Sequence, residues 1–151
     1  MSTGTVYFIS GHIDITEEEF NTHYRNRIDL ALQNPFSTFV IGDAQGADTL
    51  AKNYLGSRID KTRITIYTRR SPIQCSELVG FKIKGSFKNH TQKDAAMTRD
   101  SDEDILYIRP ADIQKQLLEA RGIKYDPNRL SGTEQNLNRR FRIRSGGNRR
   151  E

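Results

Sequence analysis

The chain has 151 residues, and its 24 Lys and Arg against 19 Asp and Glu give a formal net charge of +5. Six of the basic residues and one acidic residue lie in the last thirteen positions, which leaves 18 of each sign in the first 138. A neutral body argues against a partner selected by overall charge, so a polyanion is expected only at the basic C-terminal end.

The apolar runs and the cysteine count exclude several classes of protein. No stretch approaches 18 consecutive apolar residues and no signal-peptide pattern opens the chain, so we expect a cytoplasmic protein without a membrane partner. Cys75 alone can form no intramolecular disulfide, and neither it nor the histidines His12, His23 and His90 show metal-ligand spacing. No metal or cofactor is expected.

Short β-branched and aromatic runs alternate with helical patterns along the chain. Strands are predicted at 5–10, 37–41, 63–67 and 104–108. Helices are predicted from Thr16 to about Asn34, over 47–55, around 91–98, over 111–121, and from a cap at Ser131 or Thr133. No helix or strand is predicted for segment 68–89, and its length favours a loop that borders a site.

This alternation of strands and helices predicts the fold class. We expect an α/β protein with a Rossmann-like parallel sheet of four or five strands and helices on both faces. A chain of this length favours a single core. The predicted domain covers 1–141, and a flexible Arg-rich tail covers 142–151.

Glycine-containing loops follow the first two predicted strands. The residues concerned are Ser10 and Gly11 in the first loop and Gly42, Ala44, Gln45 and Gly46 in the second. Loops at the carboxyl ends of parallel strands border the crevice in which such sheets bind ligands, and a glycine turn that opens a helix offers free N–H groups to a phosphate. Each glycine can also serve a tight turn alone. The presence of two such loops favours a phosphate-bearing ligand.

Three segments resemble motifs of the SLOG superfamily. Residues 42–51, GDAQGADTLA, resemble its GGAxGADxLA loop, residues 93–102, KDAAMTRDSD, resemble its RDxxMxxxSD segment, and residues 131–136, SGTEQN, resemble its SxGTxxN phosphate loop. The superfamily consists of Rossmann-like proteins and includes the lonely-guy phosphoribohydrolases and the DNA-processing-protein-A group. The resemblance spans about residues 5–140. It implies a nucleotide-derived ligand across the glycine loops and, because members of this size commonly pair, a homo-oligomer.

The resemblance also implies roles for individual residues. Backbone N–H groups of Gly132 and Thr133, next to Ser131, would hold a phosphate at a helix N-terminus. Lys93 and Arg99 would add positive charge at the mouth of the site, although such side chains are often solvated surface. Asp48 lies in the first turn of a helix, where a carboxylate either caps the helix or binds ribose hydroxyls.

The resemblance to the lonely-guy enzymes ends at the residues that would catalyse a reaction. Their motif PGGxGTxxE closes on a glutamate, whereas Asn136 stands at the matching position and its amide cannot ionise. The PGG is missing as well, which disfavours lonely-guy-type cytokinin activation. Asp48 or Asp43 would supply the carboxylate that N-glycosidic hydrolysis needs. Asp43 stands where the family loop has a glycine.

Three functions remain open at this point. The first is a hydrolase that acts at the N-glycosidic or phosphate end of a nucleotide. The second is a sensor that holds a nucleotide or an ADP-ribose-like molecule without turnover, which Asn136 favours. The third is a nucleic-acid-binding protein that uses its tail. The residues for this third function are Arg139, Arg140, Arg142 and Arg144, which alternate in part with Phe141 and Ile143.

Overall fold

The computed structural model describes residues 4–145 and contains one sheet of parallel strands. The strands are β1 (Val6–Ile9), β2 (Thr38–Gly42), β3 (Ile64–Tyr67), β4 (Lys82–Lys84) and β5 (Glu103–Ile105). Their order across the sheet is β4-β3-β2-β1-β5, and every neighbouring pair is parallel. The predicted α/β fold with a Rossmann-like parallel sheet is confirmed.

Helices cover both faces of this sheet. The α-helices of the described chain are α1 (Glu17–His23), α2 (Arg25–Ala31), α3 (Ala47–Gly56), α4 (His90–Arg99), α5 (Ala111–Ala120) and α6 (Gly132–Arg144), of which α5 has no buried residue. One apolar cluster packs Ile41 and Ile66 against side chains of α1 to α3. A second cluster packs Phe8 and Val40 against Met97 of α4. Since neighbouring strand residues point to opposite faces, the two clusters mark the two sides of the sheet.

The order of the strands places a crevice at the end of β1. Strands β2, β3 and β4 follow one another on one side of β1, whereas β5 pairs with β1 on its other side. The connections that leave the two sides of β1 therefore diverge, and such a switch point opens a crevice at the carboxyl edge of a parallel sheet. Ser10 and Gly11 lie at this edge.

Two capping boxes fix where α1 and α6 begin. The side chain of Thr16 accepts the N–H of Glu19, whose carboxylate accepts the N–H of Thr16 in return. Ser131 and Glu134 form the same reciprocal pair at α6. Of the two caps left open by the sequence, the structure uses Ser131 and not Thr133.

The helix predicted from Thr16 to Asn34 is divided at Tyr24, whose φ of −117° departs from helical geometry. The buried Tyr24 hydroxyl donates to the Ser10 carbonyl at 2.7 Å and accepts the N–H of Tyr107 at 3.0 Å. These bonds tie the ends of β1 and β5 to this residue. A pattern of apolar residues every four positions did not reveal the break.

The structure also contains β4 within segment 68–89, for which no regular structure was predicted. Its sequence is Lys-Ile-Lys, and only Ile83 is partly buried, so it lacks the apolar run that marks the other strands. β5 covers 103–105 rather than the predicted 104–108. Short edge strands bury little apolar surface and leave a weak signal in the sequence.

We expect Tyr24→Phe to lower the free energy of unfolding by about 2 kcal/mol, because the Ser10 carbonyl and the Tyr107 N–H would both lose a buried partner. Urea unfolding followed by circular dichroism measures the change. Tyr125→Phe is the matched control, since the hydroxyl of Tyr125 forms none of the hydrogen bonds described for residues 4–145. An equal loss in the two variants would contradict the role given to Tyr24.

The C-terminal boundary differs from the one predicted at 141. Helix α6 continues to Arg144, so the first residues of the predicted tail belong to a helix of the domain. Residues 146–151, the remainder of that tail, lie outside the described residues. Within 4–145, none of the helices has the length and apolar character needed to cross a membrane.

Candidate functional site

A cleft of about 390 Å³ opens at the carboxyl edge of the sheet, within the range of volumes that bind small molecules. Its walls come from the loops after β1 and β2, from α4, and from the start of α6. Among the predicted site residues, those that line it are Ser10, Gly11, Ala44, Asp48, Lys93, Ser131, Gly132, Thr133 and Asn136. The fold thus brings together four segments that lie far apart in the sequence.

The other predicted site residues lie outside this cleft. Gly42 and Asp43 line an adjoining cavity of about 70 Å³, which shares Ala44 and Asp48 with the cleft. The remaining three are Gln45, Gly46 and Arg99. Gln45 is exposed, and Arg99 is exposed beside Asp100. None of these three residues lines the cleft, and their contact with a ligand stays a prediction.

Gly46 is required by the turn into α3. Its φ is +72°, a left-handed conformation that favours glycine, and an added Cβ would lie 2.4 Å from the Ile13 carbonyl oxygen. Gly11 is required by close packing, because an added Cβ would lie 2.2 Å from the Tyr24 hydroxyl oxygen and 2.6 Å from the Ala47 Cβ. The loop after β1 therefore presents backbone to the cleft at Gly11.

Ser10 brings an unsatisfied polar atom to the wall of the cleft. The residue is 6% exposed, and its hydroxyl has no hydrogen-bond partner among the described residues. Buried polar atoms are nearly always paired, and a buried hydroxyl without a partner is unfavourable. Its own carbonyl is already bound by the hydroxyl of Tyr24.

The start of α6 presents backbone donors to the cleft. The first N–H groups of a helix have no acceptor within the helix, and the Ser131 cap takes only that of Glu134. The N–H groups of Gly132 and Thr133 are left at the positive end of the helix dipole. An added Cβ at Gly132 would meet no atom within 4 Å, so open space lies beside this residue.

Lys93 is the lysine on the cleft wall, and it is held by Asp43. Its side chain is 3% exposed, and Nζ lies 3.4 Å from Asp43 Oδ1. The Thr68 hydroxyl donates to the other Asp43 oxygen at 2.6 Å. Burial would raise the pKa of Asp43, but the Thr68 hydrogen bond and the Lys93 charge outweigh it and lower that pKa. Asp43, predicted as a catalytic carboxylate, is thus an ionised group that positions Lys93.

Asp48 is the carboxyl group on the cleft wall best suited to exchange a proton near neutral pH. Its Oδ2 accepts the N–H of Ala44 at 3.1 Å and closes the loop after β2 onto α3. Burial raises the pKa of Asp48 to about 7, against the opposing effects of the Ala44 hydrogen bond and the Lys93 charge. The sequence left two roles open for Asp48, as a cap or as a ligand contact. The structure combines a cap-like hydrogen bond with a place on the cleft wall.

The raised pKa of Asp48 predicts a specific pH dependence of stability. Between pH 4 and pH 7 the unfolded chain releases this proton while the folded chain keeps it, so the contribution of Asp48 to stability falls as the pH rises. Asp48→Asn keeps an acceptor for the Ala44 N–H. We expect this variant to gain up to about 4 kcal/mol over the wild type at pH 8, since the pKa of Asp48 is raised by about three units, and nothing at pH 4. Urea unfolding at the two pH values measures both differences, and an equal difference at both would contradict the assignment.

The cleft also contains residues that the sequence analysis did not assign. These are Phe8, His12, Ile13, His90, Asp94 and Met97. Burial and the charge of Arg109 lower the pKa of His12, whose Nε2 accepts the Arg109 N–H at 3.2 Å. Burial also raises the pKa of Asp94. His12 directly follows Gly11 and Asp94 directly follows Lys93, and this adjacency was the signal that could have identified them.

The predicted nucleic-acid-binding arginines have different surroundings. Arg140 is 4% exposed and donates to Asp104 Oδ1 at 3.0 Å and to the Ser101 carbonyl at 2.9 Å. The Arg140 side chain is therefore buried inside the domain and does not lie on a surface that could contact nucleic acid, which corrects the prediction from the sequence. Arg139 donates to Asn136 Oδ1 at 2.7 Å. Arg142 and Arg144 are exposed in the last turn of α6.

Comparisons with known proteins do not place the chain in a family. No family model matches it, and neither the curated proteins nor the solved structures include a match. The fold and the cleft define an α/β protein with a pocket of ligand size at the carboxyl edge of a parallel sheet. The SLOG resemblance remains a prediction from three sequence motifs.

Proposed function

We propose that this chain is a SLOG-like protein that binds a nucleotide or nucleotide derivative in the cleft at the carboxyl edge. The observation that carries the proposal is the convergence of the α6 N-terminus, Lys93 and Asp48 on one cleft of about 390 Å³. These groups supply backbone donors, a cation and a carboxylate. This combination suits a phosphorylated sugar, because its phosphate accepts hydrogen bonds and its hydroxyls donate them.

The phosphate end of the ligand is assigned to α6. The free N–H groups of Gly132 and Thr133 and the helix dipole attract an anion, as at other helix N-termini that bind phosphate. Lys93 adds a charge that Asp43 holds in place. The unsatisfied hydroxyl of Ser10 gains a partner when a polar ligand occupies the cleft.

The nucleoside end is assigned to the remaining walls. Asp48 accepts hydrogen bonds from ribose hydroxyls, and Asn136 offers an amide at the same cleft. Phe8 and Met97 form part of an apolar wall, and Ile13 at the cleft is 67% exposed. Apolar surface with a few polar groups is the usual lining of a small-molecule site.

A second candidate function is hydrolysis at the N-glycosidic or phosphate end of the bound nucleotide. The observation that favours it is Asp48, whose pKa of about 7 suits a group that accepts or donates a proton at neutral pH. Asn136, which cannot ionise, favours the alternative of a sensor that holds a nucleotide or an ADP-ribose-like molecule without turnover. Both candidates use the same cleft and differ only in whether the ligand is changed.

Calorimetric titration of the purified chain tests the binding proposal. The panel contains nucleosides, their mono-, di- and triphosphates, ADP-ribose and NAD. We expect a phosphorylated ligand to bind at least about tenfold more tightly than the matching nucleoside, which corresponds to about 1.4 kcal/mol. No binding by any member, or equal binding with and without phosphate, would refute the phosphate site.

Chromatography of the same mixtures distinguishes hydrolase from sensor. Release of a free base or of inorganic phosphate, lost in Asp48→Asn although the ligand still binds, would establish the hydrolase. Binding without any product would establish the sensor. The homo-oligomer and the cytoplasmic location that the sequence analysis implied belong to the same proposal, and sedimentation equilibrium tests the first of them.

A further inference from the structure

The neutral body of the chain is made of two parts with opposite charge. Segment 61–88 contains seven basic residues and one acidic residue, whereas the rest of the first 138 residues contains 11 basic and 17 acidic residues. The seven are Lys61, Arg63, Arg69, Arg70, Lys82, Lys84 and Lys88, and the acidic residue is Glu77. The division of charge between the body and the tail did not reveal this asymmetry.

Segment 61–88 contains β3 and the edge strand β4. Lys82 and Lys84 are exposed on β4, and their separation by two residues puts both on the same face, about 6.6 Å apart. Lys84 is paired in register with Tyr67, and its Nζ lies 5.5 Å from the centre of that ring. Tyr67 belongs to the apolar cluster that contains Met97, so these lysines lie on the α4 side of the sheet.

Two further cations extend this row beyond the strand. Arg69, just after β3, donates to the carbonyl of Lys88 at 3.4 Å, which brings the two residues together after the carboxyl end of β4. Both residues are exposed. We name Arg69, Lys82, Lys84 and Lys88 the basic edge.

Most of the charge of the basic edge is not neutralised within the domain. Lys84 forms an ion pair with Asp100 at 2.8 Å, while its side chain remains 50% exposed. Arg69, Lys82 and Lys88 form no ion pair with any described residue. The buried Arg140, which is held by Asp104, shows the contrasting case.

Protection of an exposed strand edge explains only part of the basic edge. Lysines on edge strands discourage pairing with other chains, which accounts for Lys82 and Lys84 but not for two cations outside the strand. An anionic bilayer fits less well than a linear polyanion. The large apolar side chains exposed in segment 61–88 are Ile73 and Val79, against seven basic residues. Two such side chains offer little apolar surface that would enter a membrane.

We propose that the basic edge binds the phosphate backbone of a nucleic acid, at a site separate from the cleft. A row of exposed cations on one edge creates a local positive field that attracts a polyanion although the body as a whole is neutral. The contact involves phosphates and carries no base specificity. If the four cations each contact one phosphate of a single-stranded nucleic acid, the logarithm of the binding constant falls with the logarithm of the salt concentration with a slope of roughly −3.

Fluorescence anisotropy with a labelled 20-nucleotide oligothymidine and the full chain tests this proposal across a range of salt concentrations. We expect Lys82→Gln/Lys88→Gln to weaken binding by at least about tenfold at low salt and to make the slope less steep by roughly 1.4. The matched control is Lys115→Gln/Lys124→Gln, which removes the same charge from two exposed lysines of α5 and the following turn. This control is expected to bind almost as the wild type does.

Several results would overturn the proposal. They are the absence of binding by the wild type, an equal loss in the control pair, and a loss that appears only in Arg142→Gln/Arg144→Gln. Binding to phosphatidylserine vesicles without binding to the oligonucleotide would identify a membrane surface instead. Displacement of the oligonucleotide by an excess of a mononucleotide would place it in the cleft. Because the oligonucleotide assay needs no small ligand, failure of the proposed nucleotide site does not affect this test.

Discussion

Replacement of Gly132 by aspartate is expected to weaken the binding of a phosphorylated ligand by at least about a hundredfold while the domain stays folded. The new carboxylate would lie at the start of α6, where it competes with the phosphate for the same N–H groups and repels its charge. Open space beside Gly132 accepts a side chain, and an acidic group in the first turn of a helix is favourable. The free energy of unfolding is therefore expected to stay within about 0.5 kcal/mol of the wild type.

Calorimetric titration with the tightest-binding member of the nucleotide panel measures this effect, and circular dichroism checks the fold. Gly132→Ala is the matched control. It keeps every N–H group and adds only a methyl group, so its affinity is expected to stay within about threefold of the wild type, or about 0.65 kcal/mol. Unchanged affinity in Gly132→Asp with a normal spectrum would remove the α6 N-terminus from the site.

Arg109→Met is expected to lower the free energy of unfolding by about 3–5 kcal/mol, the largest effect on stability that we predict. The Arg109 side chain is 1% exposed. Its guanidinium lies 2.6 Å from Asp14 Oδ1 and donates to both carboxylate oxygens of Glu19, at 2.8 and 2.9 Å. Truncation to methionine would leave these two carboxylates without their central cation. The backbone N–H of Arg109 also donates to His12 Nε2, so the Arg109 cluster adjoins one wall of the cleft.

The pH dependence of this effect follows from Glu19. The Arg109 hydrogen bonds lower the pKa of Glu19 to about 2, although burial opposes them. The stabilisation that ionised Glu19 gains from Arg109 is fully present above about pH 4.5, the ordinary pKa of glutamate, and is lost as the pH falls towards 2. The difference between wild type and Arg109→Met is therefore expected to be smaller at pH 3 than at pH 7.

Urea unfolding at the two pH values measures the Arg109 prediction. Arg121→Met is the matched control, because Arg121 pairs with the same Asp14 at 2.7 Å but is 48% exposed. Exposed ion pairs contribute little, so this variant is expected to lose less than about 1 kcal/mol. Similar losses for the two arginines would contradict the stabilising role given to the buried Arg109 cluster.

The sequence predicted the fold class and most of the sheet because buried parallel strands leave continuous apolar runs. Strands β1, β2 and β3 showed this pattern, and β5 was found from an apolar run that begins only at its last residue. Strand β4 showed no such run, since two of its three residues are exposed lysines. The break at Tyr24 was hidden for another reason. At the break, the Tyr24 hydroxyl bonds to Ser10 and Tyr107, which are remote in sequence and leave no local pattern.

The candidate site was predicted where its residues belong to contiguous loops and was missed where it depends on distant pairs. Ser10 and Asp48 flank turns that lead from a strand into a helix, Gly132 follows the cap of α6, and all three line the cleft. The interior roles of Arg109 and Arg140 depend on partners tens of positions away, so both resembled ordinary surface arginines in the sequence. Composition does not show which arginines are buried.

The central claim is that a nucleotide occupies the cleft between the loop after β1 and the start of α6. Titration of the ¹⁵N-labelled chain with the nucleotide panel, followed by amide NMR shifts, tests it most directly. We expect the largest shifts at the amides of Gly11, Ala44, Gly132 and Thr133, with little change at Lys82 on β4. Shifts concentrated at β4, or no shifts with any nucleotide at millimolar concentration, would contradict the account.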